Sequence, residues 1–382
     1  MTVDIIIHAQ PSASGSLIRL LESLKKADFS SSALPRLTIE LPHDIDEPSR
    51  RYLERFRWPP IPDHATGSLL TLHHRIPQHG LTAEENSIRL LESFWPADPF
   101  MSHVLVLSPM VELSPLFFHF LKYNALEYMY STNNGDLRQF LLGISLDLPS
   151  TFLNDSSLFT PPVANSRVGE NVVAAGVTPF LWQAPNSNAA LYFGDKWVEI
   201  HDFVGHLLAS QHTLPTPTTL NEKLVSKTYP SWLEHVLKLV RARGYWTIYP
   251  NFDNQHSLAA LHHDLYQPPE EYSEEMRADA VMPGELTADP KEHLSLKDKE
   301  KTIIKTALVG ILPNKGDLPK LSEMPLLTWD GVLTDVDDFG GHAVNYSGVF
   351  KREIGGCTEN SVEKDRVGMF AGDLFCLNGP KT

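Results

Sequence analysis

Short apolar runs alternate with amphipathic segments through the first half of the chain. The runs at 3–8, 37–41, 68–73, 104–107 and 143–148 have the length and composition of buried strands. Capped or amphipathic segments at 16–27, at 82–95 and from Ser114-Pro115 onward predict helices between these strands. Strands interleaved with helices predict an α/β fold, with a mostly parallel, doubly wound sheet and helices on both faces.

Residues 231–250 predict one helix that runs directly into one strand. Ser231 and Glu234 have the spacing of a capping box, and Gly244 ends the helix where a left-handed backbone is needed. The strand over 245–249 ends before Pro250. An ordinary helix–strand unit of any α/β protein has the same pattern, so this segment alone leaves the function open.

The composition changes after about residue 267. Residues 268–302 are rich in charge and contain Pro268, Pro269 and Pro290, whereas 303–382 carry few helical signals. We therefore predict an α/β domain over 1–267, a charged connector over 268–302, and a small C-terminal segment over 303–382 that packs on the core.

Charge and cysteine content limit the classes of function. The net charge of the 382 residues is −15, which argues against a nucleic-acid or anionic membrane surface. No apolar run approaches 18 residues, so no transmembrane helix is expected, and no signal peptide is visible before the first strand. Cys357 and Cys376 either form one disulfide in an oxidising compartment or remain two thiols.

The strand, polar loop and helix at the N-terminus suit nucleotide binding at the carboxyl end of a parallel sheet. The loop has neither the G-x-G-x-x-G pattern nor a P-loop, so dinucleotide and ATP chemistry have no motif support. The histidine runs at 73–74 and 262–263 lack the spacing of a zinc site.

Several long segments together resemble the fungal family-2 glycosyltransferases of the GT-A fold. They are residues 5–27, 37–46, 55–60, 92–96, 179–202, 231–250, 316–319 and 326–331, which span most of the chain. The resemblance implies a GT-A-type sheet and an inverting glycosyltransferase. Such an enzyme moves a sugar from a nucleotide-diphospho-sugar, here expected to be UDP-linked, to an acceptor hydroxyl.

The resemblance also implies a donor site. In this family the first strand and its loop face the nucleotide, and an acidic residue after the second strand contacts the base or the ribose. The residues that match are His8, Gln10, Glu40, Asp44 and Ser108. For Asp44 a solvated turn is the simpler interpretation.

One departure from the family pattern concerns the metal. GT-A enzymes usually carry Asp-x-Asp after a buried strand to hold Mn²⁺ or Mg²⁺, and this chain has Ser108-Pro109-Met110 there. Glu112 supplies one carboxylate, which alone makes a weak metal site. Three interpretations stay open: a metal-independent enzyme, recruitment of another carboxylate, or a catalytically silent binding or scaffold protein.

Aromatic and amide side chains in 179–197 suit a sugar, which offers apolar C–H faces and many hydroxyls. The predicted sugar-binding residues are Trp182, Gln183, Asn186, Asn188 and Trp197, with a packed strand and loop as the alternative. By resemblance, Asp202 is the first choice for the general base and Glu199 the second. Their i, i+3 spacing puts both on one helix face, and a solvated face is the alternative.

Partners and location follow from the resemblance alone. It implies a nucleotide-sugar donor, a glycan, lipid or protein acceptor, and a place at the Golgi membrane. Without an anchor, the chain as it stands is expected to be soluble or cytoplasmic. The donor sugar, the acceptor and the oligomeric state are not determined by the sequence.

Overall fold

The computed structural model describes most of the chain and leaves several segments undescribed. The described residues are 1–9, 14–29, 33–42, 45–60, 67–74, 87–154, 157–162, 178–211, 224–225, 229–252, 256–262, 302–305, 308, 312, 316–358 and 369–376. The predicted connector at 268–302 therefore lies almost wholly outside them.

Fourteen strands occur in the described part of the chain. They are β1 (Thr2–His8), β2 (Arg36–Leu41), β3 (Leu70–His74), β4 (Ser102–Leu107), β5 (Val111–Leu113), β6 (Leu141–Ser145), β7 (Phe180–Trp182), β8 (Ala189–Tyr192), β9 (Trp246–Tyr249), β10 (His256–Ser257), β11 (Ala259–Leu261), β12 (Thr302–Ile303), β13 (Leu326–Leu327) and β14 (Leu333–Thr334). Ten of them form one sheet in the order β14-β13-β7-β9-β6-β8-β4-β1-β2-β3. The other four form two small pairs, β5 with β11 and β10 with β12.

The central sheet is mixed but mostly parallel. Strands β1, β2, β3, β4, β6, β9 and β14 run in one direction, while β7, β8 and β13 run against them. The predicted α/β class is confirmed, and the arrangement is consistent with the GT-A-type fold that the resemblance implies.

Six α-helices are described. They are α1 (Ser14–Lys25), α2 (Glu47–Arg55), α3 (Phe117–Ala125), α4 (Gly194–Gln211), α5 (Ser231–Arg243) and α6 (Val336–Glu353). A π-helical turn at Leu126–Tyr130 follows α3, and 3-10 turns lie at Arg89–Ser93, Thr132–Phe140, Leu321–Glu323 and Gly372–Leu374.

The helices cover both faces of the sheet, as predicted. Successive side chains of a strand point to opposite faces, so Ile5 and Ile7 join a core cluster that includes α1 and α3. Ile6, between them, joins a second cluster that includes α4 and α5. Burial on both faces explains why the parallel strands appear in the sequence as continuous apolar runs.

The capping box predicted for Ser231 and Glu234 is wrong. The residue that precedes α5 is Pro230, and Ser231 is already the first helical residue. The Glu234 carboxylate instead accepts the backbone N–H groups of Leu224 and Val225, each at 3.0 Å. The predicted end of the helix is confirmed, because Gly244 adopts φ 66° beyond the last turn.

The C-terminal part of the chain is joined to the core by secondary structure. Strands β13 and β14 extend the central sheet, and a disulfide links Cys357 to Cys376, which decides between the two interpretations of the cysteines. The predicted boundaries at 267 and 303 stay predictions. None of the helices in the described ranges has the length and hydrophobicity that crossing a bilayer requires.

Candidate functional site

Six neighbouring strands carry a polar residue at or just beyond their ends, at the same level, at the edge of the sheet where β1 ends. In sheet order these residues are His73, Glu40, His8, Ser108, Asn188 and Asp147, and we call them the polar row. Their neighbours Ile7, Ile39 and Leu107 belong to the core on the α1 side. Because side chains alternate along a strand, the polar row projects to the opposite face of the sheet.

The polar row crosses the point where the strand order reverses. β2 and β3 lie on one side of β1, and β4 lies on the other. In open α/β sheets, ligands bind in the crevice outside the carboxyl ends of the strands at such a switch point. The central members His8 and Ser108 are half-buried, whereas Glu40 and Asp147 toward the two ends are 8% and 0% exposed. The row is thus partly open at His8 and Ser108, packed at Glu40 and Asp147, and exposed at its His73 end.

Hydrogen bonds fix the Glu40 end of the polar row. The ring N–H of His73 donates to the Glu40 carboxylate at 2.6 Å, and the Ser93 hydroxyl donates to it at 2.7 Å. Two charge-assisted bonds of this length hold the carboxylate in one orientation. Glu40, predicted to contact the donor, therefore lies at the end of the sheet where β1 ends, with its carboxylate held in one orientation.

A second network fixes the Asp147 end. The Asn186 side-chain amide donates to the Ser145 hydroxyl at 2.8 Å and to the Asp147 carboxylate at 2.5 Å. The Asn186 side-chain oxygen accepts the backbone N–H of Asn188 at 2.6 Å, and Asn188 in turn accepts the backbone N–H of Ser108 at 2.7 Å. The sequence interpretation missed Asp147, although an acidic residue at the end of a predicted strand was the available signal.

A carboxylate–histidine pair lies a few residues beyond Ser108, where the chain leaves β4. Glu112 on β5 and the His262 ring are 2.8 Å apart, and the backbone N–H of His262 donates to the carbonyl of Met110 at 3.1 Å. Each side chain is about one-third exposed, at 38% and 31%. With the ring N–H donated to the carboxylate, the other nitrogen of a neutral ring is a hydrogen-bond acceptor.

These residues do not fit the Mn²⁺ or Mg²⁺ site of the implied family. Ser108 offers a hydroxyl and Met110 a thioether, while hard cations select several carboxylate or carbonyl oxygens. Glu112, the predicted weak ligand, is paired with His262. Among the residues that the structure describes, no three His, Cys, Asp or Glu side chains form a group that would hold a metal ion.

The predicted general bases do not lie with the polar row. Glu199 is 1% exposed; it accepts from Arg243 at 2.7 Å and from the Tyr245 hydroxyl. Asp202 accepts the backbone N–H of Ala371 at 2.7 Å. Arg243 and Tyr245 immediately precede β9, so Glu199 belongs near the opposite edge of the sheet, where β9 begins.

Burial and charge act in opposite directions on Arg243. Burial alone would lower the pKa of its guanidinium, but Asp373 and Glu199 together raise that pKa above its usual range. Arg243 donates to Asp373 at 2.8 Å, so the three charges form one buried cluster. Asp202 attaches α4 to Ala371, and Glu199 attaches α4 to Arg243, which in turn binds Asp373. These contacts favour a structural role for both carboxylates.

The two predicted sugar-binding tryptophans are core residues. Trp182 and Trp197 are both 0% exposed, and their indole N–H groups donate to the carbonyls of Thr328 and Phe94 at 2.9 and 3.0 Å. Gln183 is 3% exposed and lies beside Trp329, away from the polar row. Gln10 and Asp44, predicted for the donor, lie outside the described residues.

Comparisons with known proteins add little to this geometry. No protein-family model matches the chain, and no curated protein matches it. Among solved structures, the chain is similar to the crystal structure of S. aureus TarS 1-349, a glycosyltransferase with a GT-A-like fold. The identity is 12%, the TM-score is 0.35, and the match covers 74% of this chain and 65% of the TarS chain. The chain thus spans less than two thirds of that structure, and its function is to be inferred from its own site.

Proposed function

We propose that the chain binds a nucleotide-diphospho-sugar at the polar row and transfers the sugar to an acceptor hydroxyl. The observation that carries this proposal is the alignment of six polar residues across the strand-order reversal, where α/β sheets bind nucleotides. Assignment to family 2, inversion at the anomeric carbon and a UDP-linked donor rest on the resemblance of the sequence and remain predictions.

The residues of the polar row are suited to different roles in binding the donor. The oriented Glu40 carboxylate is an acceptor suited to ribose hydroxyls. His8 and Ser108, at the open centre, are suited to hydrogen bonds with the diphosphate. Asp147 does not reach solvent, so its part is to hold Asn186 and Asn188 in place. Because the residues do not fit a divalent metal, we propose that donor binding is independent of one.

The Glu112–His262 pair is our candidate for the general base. A base must reach the acceptor hydroxyl as that oxygen attacks the sugar, and a histidine oriented by a carboxylate is suited to this task. The pair flanks Met110 at the exit of β4, beside Ser108. Asp202, the earlier first choice, is a second candidate with a different location.

Ligand-dependent unfolding tests the donor site. The purified protein is heated with a panel of nucleotide sugars, each with and without Mn²⁺, and the release of nucleotide is measured in parallel. A ligand at 100 times its Kd adds about 2.7 kcal/mol to the free energy of unfolding. We expect one nucleotide sugar to raise the melting temperature equally with and without metal.

Two leucine variants locate the binding. Ser108→Leu fills the open centre of the polar row and should abolish the shift. Ser322→Leu makes the same change at an exposed position and should retain it. A shift that survives Ser108→Leu would place the nucleotide elsewhere, and the absence of a shift with every donor would remove the proposal.

A catalytically silent nucleotide-sugar-binding protein is the second candidate function. It is favoured by the hydroxyl and thioether at positions 108 and 110, where the implied family holds metal with carboxylates. Donor-dependent stabilisation without nucleotide release, over a broad panel of acceptors, would support it. Metal-independent release of nucleotide would exclude it.

A further inference from the structure

A cavity of about 660 Å³ opens at the edge of the sheet opposite to the polar row. It lies between the turn that joins β13 to β14 and one side of α6. Leu327, just before this turn, pairs with Trp182, and Trp182 pairs with Thr247 near the start of β9. The polar row lies at the other end of the strands, where β1 and β4 end. The length of the strands therefore separates the two sites.

Arg241 is held in this cavity by two aromatic rings. The central carbon of its guanidinium lies 4.4 Å from the ring centre of Trp329 and 3.9 Å from that of Tyr346. Burial lowers the pKa of Arg241, although the group stays charged. Within the described ranges no side chain or carbonyl accepts a hydrogen bond from it. Its N–H donors lie in the guanidinium plane, so contacts with the rings leave them available to a ligand.

The other polar groups around the cavity differ in sign and type. Asp330 and Asp338 are acidic, and Gln183, His342 and Asn345 are neutral when the histidine is unprotonated. One arginine and two aspartates give a sum of 1 − 2 = −1. An anionic ligand would meet a net negative charge, and a purely apolar ligand would leave the buried guanidinium without an acceptor. The lining therefore favours a neutral ligand that can both donate and accept hydrogen bonds.

We propose that this cavity is a binding site for a neutral carbohydrate, separate from the polar row. A sugar hydroxyl accepts from the Arg241 guanidinium and donates to the Asp330 or Asp338 carboxylate. The half-buried Trp329 offers an aromatic surface to the C–H face of the ring. Gln183, predicted from the sequence to bind sugar, lines this cavity and not the polar row. The proposal does not depend on catalysis at the polar row.

Direct titration tests the site. Asn345, Tyr346 and Ser347 form an N-glycosylation sequon at the cavity rim. The full chain is therefore made in a bacterial host, so that Asn345 carries no glycan. Calorimetry and ligand-observed NMR are then run with methyl glycosides and disaccharides of glucose, galactose, mannose and N-acetylglucosamine. Glucuronate and inorganic phosphate serve as anionic counter-probes. We expect saturable binding of at least one neutral saccharide and none of the two anions.

Variants assign the binding to the cavity. Arg241→Gln and Asp338→Asn should each weaken saccharide binding about 10-fold or more. Arg352→Gln, on the same helix as Asp338 but outside the cavity, should leave binding unchanged. Asp338 is exposed at the rim, so its variant decides the question if Arg241→Gln does not fold.

Three outcomes would overturn the proposal. They are the absence of saturable saccharide binding, preferential binding of glucuronate or phosphate, and unchanged affinity in both cavity variants. Nucleotide-sugar stabilisation is measured on the same samples, and the cavity variants should retain it. Failure of the donor site and failure of this site are thereby distinguished.

Discussion

Arg243, at the end of α5, donates a 2.8 Å hydrogen bond to Asp373, which lies 130 residues later in the chain. Both side chains are 6% exposed. The contact joins the predicted helix–strand unit over 231–250 to the C-terminal segment, for which the sequence predicted little structure. Glu199 also binds Arg243, so a cluster of three charges is buried between α4, α5 and the C-terminal segment.

Asp373→Asn should destabilise the fold strongly. The variant leaves the buried guanidinium with one carboxylate in place of two, and breaking a buried ion pair typically costs about 3–5 kcal/mol. Chemical denaturation measures the change in the free energy of unfolding. Asp136→Asn makes the same replacement at an exposed position and should stay within about 0.5 kcal/mol of the parent. Equal effects of the two variants would contradict the role given to the buried cluster.

The disulfide and the Arg243–Asp373 pair should be energetically coupled. Cys357 and Cys376 are 19 residues apart, and a loop of this length is expected to contribute about 3 kcal/mol. Asp373 lies inside that loop, so both constraints act on one segment. Denaturation of the double Cys→Ser variant, with and without Asp373→Asn, forms a double-mutant cycle. We expect the two changes to be non-additive, whereas strict additivity would show that the constraints act independently.

Stability should fall as the pH drops from 6.5 to about 4, and His103 should account for part of the fall. Burial lowers the pKa of His103 to about 4, while the nearby Asp195 and Asp98 act in the opposite direction. The unfolded chain takes up a proton near pH 6.5, but the folded chain does not until about pH 4. The difference between the two pKa values is equivalent to roughly 3 kcal/mol of unfolding free energy. This stability is lost progressively as the pH falls from 6.5 to about 4.

Denaturation midpoints between pH 4 and 8 test this dependence. His103 accepts the backbone N–H of Gly194 at 3.1 Å, and its other nitrogen lies 2.6 Å from the Tyr130 hydroxyl. His103→Asn keeps an acceptor near Gly194 and removes the titration, so its stability should vary less over pH 6.5–4. The exposed His342→Asn should keep the parent slope. Identical slopes in all three proteins would exclude His103 as the source.

Two glycines of α4 should respond to alanine in opposite ways. A Cβ on Gly194 would lie 2.1 Å from the Ser102 carbonyl oxygen and 2.6 Å from that of Pro99. Since both neighbours are backbone, Gly194→Ala should cost at least about 3 kcal/mol. Nothing lies within 4 Å of a Cβ on Gly205, so Gly205→Ala should stabilise the helix by about 0.5–1 kcal/mol. Thermal denaturation compares the two variants. A small loss of stability in Gly194→Ala would refute the close approach of α4 to the sheet.

Catalysis, if it uses the Glu112–His262 pair, should be sensitive to changes in that pair and not to Asp202. We expect His262→Gln to lower kcat by about 100-fold or more with little change in donor binding. Asp202→Asn should act mainly on stability, because Asp202 binds the backbone of Ala371. His119→Gln is a matched control, since His119 forms a similar half-exposed pair with Asp28 at 3.2 Å. A large loss of kcat in Asp202→Asn alone would reassign the base.

The sequence by itself predicted the fold class, the strands β1, β2, β3, β4, β6 and β9, and the helices α1, α3 and α5, but it did not predict α6. Those features depend on local patterns: apolar runs for parallel strands buried on both faces, and a left-handed glycine after α5. The resemblance to a known family directed attention to His8, Glu40 and Ser108, and the structure places all three at one end of the sheet. The capping box at Ser231 was the clear local failure, since a contact with residues 224–225 replaced it.

Only the tertiary structure decided which of these residues are neighbours. Asp147 and Asn188 join the polar row through strand register, and His262 reaches Glu112 from 150 residues away. Trp182 and Trp197 are core residues because elements distant in sequence cover them. Arg241 lines a cavity because Trp329 and Tyr346, about 90 and 105 residues later, pack on it. Hydrophobic periodicity specifies which face of an element is buried, but the partner that buries it is set by long-range packing.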